Sequence, residues 1–201
     1  MGSQPFGGEG LSGTGPKAGG PNYLSRFFEA RSSNREAINQ GNMLSFGTVQ
    51  ISLDGLPQAR IKLSKREMVG PTGESNILYE FGRGVVLCLG PDVESANMQA
   101  QIAEKNGCAS LIVCPNAVGE NTLDGFMARE FLQHLSGFSL VALWSSNDDL
   151  RTARRALAAR EGAIIPLVCD DGLASACRLE RHICVDTTAA GGNASLLAAT
   201  S

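Results

Sequence analysis

The residues able to do chemistry are few and scattered. Gly8-Glu9-Gly10-Leu11-Ser12-Gly13 spells Gly-x-Gly-x-x-Gly, which cradles a pyrophosphate when it joins a strand to a helix start. Gln4-Pro5-Phe6-Gly7 precedes it and Thr14-Gly15-Pro16 follows. Neither flank reads as a strand or a helix, so no phosphate site is expected there. His182 stands two residues before Cys184. On a strand both would share a face, as a Cys/His nucleophile pair or as sheet packing with a hydrogen-bonded histidine. The second reading is favoured, because a nucleophilic thiol needs exposure and a nearby base. Asp148-Asp149 and Asp170-Asp171 are paired acids. Each lies between an expected strand and an expected helix, where helix capping explains them fully and is favoured over acid–base catalysis. With only His134 and His182 and no ligand-spaced cluster, a metal site is not expected. No Walker-type phosphate loop is present, and no residue is assigned a catalytic role.

The elements that must position these residues read as alternating strands and helices. Gly84 to Leu89 is a continuous apolar run, as in a strand buried on both faces. Asp92 can cap a helix running to about Asn106, with Val93, Ala96, Ala100 and Ala103 on one stripe and Gly107 ending it. A strand over Ser110–Cys114, a helix over Thr122–Leu135 and a strand over Phe138–Trp144 follow. Asn147-Asp148-Asp149 opens a helix with Leu150, Ala153 and Leu157 inward and Arg151, Arg154, Arg155 and Arg160 outward. Ala163–Val168 and Arg181–Val185 read as strands around a short helix over Gly172–Arg178. Upstream, Tyr23–Ala30 reads as a short helix, and Thr48–Leu63 as β structure on the alternation of Val49, Ile51 and Leu53 and the turn signal Asp54-Gly55. Val69–Asn76 reads as a loop.

The expected architecture is therefore α/β: a Rossmann-like, mainly parallel sheet with helices on both faces. A glycine-rich segment and a small β region precede it, and an extended docking tail follows. The divisions fall at 1–31, 32–82, 83–186 and 187–201. The tail, Thr187 onward, is small and glycine-broken. Fixing a residue costs about 1–2 kcal/mol of backbone entropy, so such a tail must fray or dock in a preformed groove.

Hydrophobic residues make up 43% of the 201 positions but aromatics only 5%. A core of aliphatic and alanine side chains is implied. The net charge of −3 speaks against nucleic acid as a partner. No apolar run reaches the roughly 20 residues a membrane helix needs, and Met1 to Phe6 does not open a signal peptide. Six cysteines without a Cys-x-x-Cys fit buried thiols in the cytoplasm better than disulfides. Asn193-Ala194-Ser195 is a formal glycosylation sequon, of no use in that compartment.

The stretch from Gln4 to Pro21 resembles the closing segment of an aldehyde dehydrogenase domain, in wording that of the family proline utilization A. Gly70-Pro71-Thr72-Gly73-Glu74-Ser75-Asn76 is similar to a second hallmark of that family. Thr187-Thr188-Ala189-Ala190-Gly191-Gly192-Asn193-Ala194-Ser195-Leu196 is similar to its C-terminal motif. The resemblance implies the end of a glutamate-semialdehyde dehydrogenase domain joined to a C-terminal domain of the same superfamily that has lost catalysis. The full family enzyme oxidises proline to pyrroline-5-carboxylate with FAD and the hydrolysed semialdehyde to glutamate with NAD, through an internal tunnel.

By that resemblance Pro5, Phe6, Gly7, Gly8, Ser12 and Gly13 would border the aldehyde pocket. Thr187, Thr188, Ala189, Ala190, Gly191, Gly192, Asn193 and Ser195 would dock as a lid on the dehydrogenase domain. The flavin barrel, the dehydrogenase nucleophile and the NAD-binding half have no counterpart here, so the chain would begin inside the dehydrogenase domain and bind neither cofactor alone. Its partner would be the remainder of that polypeptide, with further oligomerisation open. A free-standing NAD-binding protein, or an interaction protein acting in trans on a separate dehydrogenase, are the alternatives.

Overall fold

A computed structural model describes residues 4–27 and 41–186. The expected docking residues from Thr187 to Ser195 lie outside the described residues, as does the end of the first expected helix. What is described of that helix is a 3-10 turn over Tyr23–Phe27.

The expectation of β structure from Thr48 is corrected. Phe46–Asp54 is a helix, α1, and its N-terminus shows why: Ser45 accepts a hydrogen bond from the Thr48 amide at 3.1 Å. Val49 and Leu53 are four apart and fully buried, while Ile51 is 74% exposed. The alternation sampled two residues of a helical stripe and one from the far side. Strands β1 (Lys62–Met68) and β2 (Glu74–Gly82) then form an antiparallel hairpin. The expected loop is its connection, except that Glu74–Asn76 already belong to β2.

Next come β3 (Val85–Cys88), α2 (Val93–Lys105), β4 (Ala109–Cys114), β5 (Thr122–Asp124) and a 3-10 turn over Arg129–Gln133. They are followed by β6 (Leu140–Ala142), α3 (Asn147–Ala158), β7 (Leu167–Val168), α4 (Leu173–Ala176) and β8 (Arg178–Asp186). Among the described residues β5-β4-β3-β6-β7 is a parallel sheet and β1-β2-β8 an antiparallel one.

The parallel sheet carries helices on both faces, as the sequence implies. Val85, Leu87, Leu111, Val113, Val141 and Leu143 point to one side, against α1, the Arg129–Gln133 turn and α3. Val86, Cys88, Ile112, Cys114, Leu140 and Ala142 point to the other, against Ala96, Ala100 and Ala103 of α2 and Leu173 of α4. Phe138 is the one aromatic among the buried hydrophobic residues described, so the core is aliphatic and alanine-based.

Two further expectations are corrected. The expected helix over Thr122–Leu135 is an edge strand, an irregular turn and the 3-10 turn. Gly125 sits at φ +151°, and a Cβ there would meet Asn42 O at 2.5 Å. The last strand does not join the parallel sheet. β8 pairs antiparallel with β2, residue for residue from Glu74↔Asp186 to Gly82↔Arg178. Its charged, half-exposed sequence suits a sheet with one wet face, whereas doubly buried parallel strands are continuously apolar. At the junction of the two sheets a Cβ on Gly82 would lie 2.0 Å from Gly107 O, so β2 meets the turn after α2 at backbone contact.

Candidate functional site

The glycine-rich segment is an irregular hairpin lying on the β2–β8 sheet. Phe6 and Ala18 exchange backbone bonds of 3.0 and 2.8 Å, Glu9 bridges Thr14, and the Gly10 amide donates to Gly13 O at 2.8 Å. Gly10, at φ +114°, makes the sharp tip. Gly-x-Gly-x-x-Gly is thus a turn with no helix behind it. Of the six expected border residues, Pro5 is buried, Gly13 half-buried, and Phe6, Gly7, Gly8 and Ser12 are exposed.

Side chains that sequence reasoning passed over fasten this hairpin. Glu180, 4% exposed in β8, accepts from the Lys17 amide at 2.6 Å and from Asn22 Nδ2 at 2.7 Å. Asn22 also donates to Glu80 at 2.8 Å. Gln4 Nε2 donates to Glu74 at 2.7 Å and reaches the Cys184 sulfur at 3.3 Å. The amide donors Asn76 and Gln4 hold the Glu74 carboxyl below its ordinary range. Arg83, 7% exposed, donates through Nη2 to Thr14 O at 2.8 Å and Arg178 O at 3.0 Å, and through Nε to Ala176 O at 2.6 Å. Desolvation lowers its pKa, although the nearby Glu9 charge opposes this. The available sequence signal was a charged residue between two glycines, Gly82-Arg83-Gly84, immediately before a buried strand.

Glu9 is the unusual carboxyl of the segment. Both its oxygens are buried without a hydrogen-bond partner. Burial raises its pKa, with Arg83, the Glu180 backbone and Lys17 pulling the other way. Gly15 gives the carboxyl room, since a Cβ there would lie 2.0 Å from Glu9 Oε1.

The remaining candidates do not assemble. His182 Nε2 pairs with Asn76 Oδ1 at 3.1 Å rather than with Cys184. The Cys184 thiol is itself pushed up, by desolvation and by the Glu74 and Asp186 charges. Asp149 forms a bidentate pair with Arg129 at 2.8 and 3.0 Å. Burial works against its charge, but Arg129 outweighs that and holds the carboxyl below its usual value. Asp170 closes the turn before α4 by accepting from the Gly172 amide at 2.9 Å. Capping as such is not what Asp149 does: the N-cap of α3 is Ser146. Arg160, expected outward, turns in beneath Phe138, its guanidinium 5.1 Å from the ring, and donates to Leu132 O and Leu135 O. Cys88, Cys108, Cys114 and Cys177 are buried free thiols. Among the described residues no group of three His, Cys, Asp or Glu could hold a metal, and no helix is long and apolar enough to cross a membrane.

In a doubly wound sheet a dinucleotide lies outside the carboxyl ends of the strands, with its pyrophosphate at a helix start. Here that start is α2, beyond Gly90. The Asp92 carboxylate occupies it, accepting from the Ser95 amide at 2.7 Å. Gln99, fully buried, closes the loop by bonding the Gly90 amide at 3.1 Å and its carbonyl at 2.8 Å. A carboxylate therefore already fills the anion position, and these residues do not fit a pyrophosphate.

The geometry defines an α/β domain with a Rossmann-like sheet and a clamped glycine-rich hairpin. No protein-family model matches the chain. It is 33% identical to the bifunctional protein PutA of Salmonella typhimurium and 30% identical to that of Escherichia coli, in each case over 98% of this chain and 18% of the relative. The first alignment runs over 241 positions, longer than this chain, so the relative carries insertions that are absent here. A crystal structure of a mutant Bradyrhizobium japonicum proline utilization A aligns with 52% of this chain and 13% of its own, at 23% identity and TM-score 0.39. The chain matches PutA as a counterpart of its C-terminal region, and it spans about 18% of the length of the relatives it matches.

Proposed function

We propose that this chain is the noncatalytic C-terminal scaffold of a bifunctional proline-oxidising enzyme, which supports the semialdehyde dehydrogenase site and, through the tail at 187–201, seals the channel between the two reactions. The clamp on the glycine-rich hairpin carries this reading. The α/β unit grips the hairpin from behind through Glu180, Asn22 and Arg83, while Phe6 stays 69% exposed. A bordering residue held rigidly yet left uncovered suits a pocket whose other walls come from a dehydrogenase domain. NAD and FAD would belong to that remainder of the cytoplasmic polypeptide. The Asp92 carboxylate at the α2 start supports a domain that binds no dinucleotide itself.

The test uses a full-length bifunctional enzyme carrying this region. With Glu180→Ala and Asn22→Ala together, kcat/KM for semialdehyde oxidation is expected to fall about tenfold or more, since small misplacements at a reacting centre can cost about 100-fold. Proline oxidation should be unchanged. Equal loss of both steps, or loss of neither, would reject the scaffold role. The same assay after removal of the residues from Thr187 onward tests the lid separately, through the semialdehyde step and the transfer between sites.

A further inference from the structure

Five side-chain nitrogen or oxygen atoms are buried without a hydrogen-bond partner among the described residues, and three of them belong to Glu9 and Arg160: both oxygens of Glu9, and Nε of Arg160. The two residues line a cavity of about 470 Å³ bounded by the hairpin, the amino-terminal ends of β6 and β7, and β8. Arg83 lines it too. Its Nε and Nη2 are bonded to three carbonyls, which leaves Nη1 without a hydrogen bond and the guanidinium without an ion pair among the described residues. Lys17, Arg60 and Arg181 complete a wall of five cations.

The acids of the same wall, Glu9, Glu161 and Glu180, are fewer than its five cations and offset them only in part. Both oxygens of Glu180 accept from neutral donors, the Lys17 backbone amide and Asn22 Nδ2. Glu161 is exposed at the rim. Burial raises the pKa of Glu9, against the pull of Arg83 and Lys17. A buried donor left unsatisfied costs about 1–3 kcal/mol, so the unused Arg83 Nη1 beside a basic cavity points to a ligand that accepts. The volume falls within the range of small-molecule sites, about 300–1,000 Å³.

We propose that this cavity binds a small multivalent anion, whose carboxylate or phosphate oxygens meet Arg83 Nη1 within the ring of Lys17, Arg60, Arg160 and Arg181. The site lies at the amino-terminal ends of the parallel strands, opposite the crevice a dinucleotide would use. It is independent of the scaffold reading and can fail without it.

Calorimetric titration of the 201-residue chain with citrate, and separately with pyrophosphate, against sodium chloride of matched ionic strength, tests the proposal. One-to-one saturable binding is expected for at least one of them. Arg60→Ala and Arg181→Ala, both at exposed positions, should each weaken it by about fivefold, the upper end for a partly solvated charge pair. Tighter citrate identifies a carboxylate ligand, and tighter pyrophosphate a phosphate ligand. Absence of saturable binding for both, or binding that Arg60→Ala combined with Arg181→Ala leaves unchanged while the circular dichroism stays native, overturns the assignment.

Discussion

At the scale of single residues, Glu9 makes the sharpest statement about energetics. Its carboxyl titrates above the ordinary 4.5 because burial disfavours the charge, against the opposing Arg83, Lys17 and Glu180 amide and in concert with the Glu180 charge. A group whose folded pKa is raised holds its proton in the folded state after the unfolded chain has lost it. Its stabilising contribution is therefore complete below about pH 4.5 and is lost as the pH rises through the folded value. Glu9→Gln removes that dependence. At pH 7 the variant should be the more stable by about 1 kcal/mol, allowing for half-exposed surroundings, or about 2–4 °C in a chain of this size. Thermal melts of both proteins between pH 4 and 8 should converge at the acid end and separate towards neutrality; curves that stay parallel would contradict this. None of it was legible beforehand. Glu9 sat inside a glycine motif that drew attention to phosphate, and its isolation depends on Glu180, far along the chain. His182 was legible, because a histidine on a half-polar strand has an ordinary use as a hydrogen-bonded packing residue, here with Asn76.

At the scale of elements, legibility followed burial. β3, β4 and β6 are continuous apolar runs that helices cover on both sides, so their sequences declare them. The start of α2 declares itself through Asp92. Segments whose partners are distant in sequence did not. β8 was read as a strand but assigned to the wrong sheet, because pairing with β2 is a tertiary choice. The Thr122–Leu135 stretch has apolar residues at helical spacing, and Gly125 overrides it by packing at backbone contact against Asn42. The α1 segment offers a direct discrimination. In a strand Ile51 and Leu53 would share a face and tolerate change alike. In the helix Ile51 is 74% exposed and Leu53 fully buried. Ile51→Lys should alter stability by no more than about 0.5 kcal/mol, while Leu53→Ala should cost about 3 kcal/mol. Urea unfolding of the two variants checks this, and similar midpoints would contradict the helix.

At the scale of the whole molecule, the two sheets share one continuous support. β2 runs into β3 across Gly82-Arg83-Gly84, and Arg83 ties that crossing to the hairpin at Thr14 and to α4 at Ala176. The fold thus has a Rossmann-like layered frame and uses these polar groups internally. Gly90, at φ +82°, brings the backbone so close that a Cβ would meet the Asp92 amide at 2.7 Å and the Cys114 sulfur at 3.4 Å. Gln99 spends both ends of its amide on Gly90. A pyrophosphate at the α2 start would have to expel the Asp92 carboxylate against its own charge and break the Gln99 pair, with no basic side chain among the residues that close this loop. Calorimetric titration of the chain with NAD should therefore give no saturable heat at millimolar concentration. Asp92→Ala should not create binding by itself, because the Gln99 bonds remain; Asp92→Ala combined with Gln99→Ala is the variant that reopens the loop. Saturable NAD binding by the unaltered chain would mean that the loop opens in solution, and would favour a nucleotide-binding protein over a scaffold.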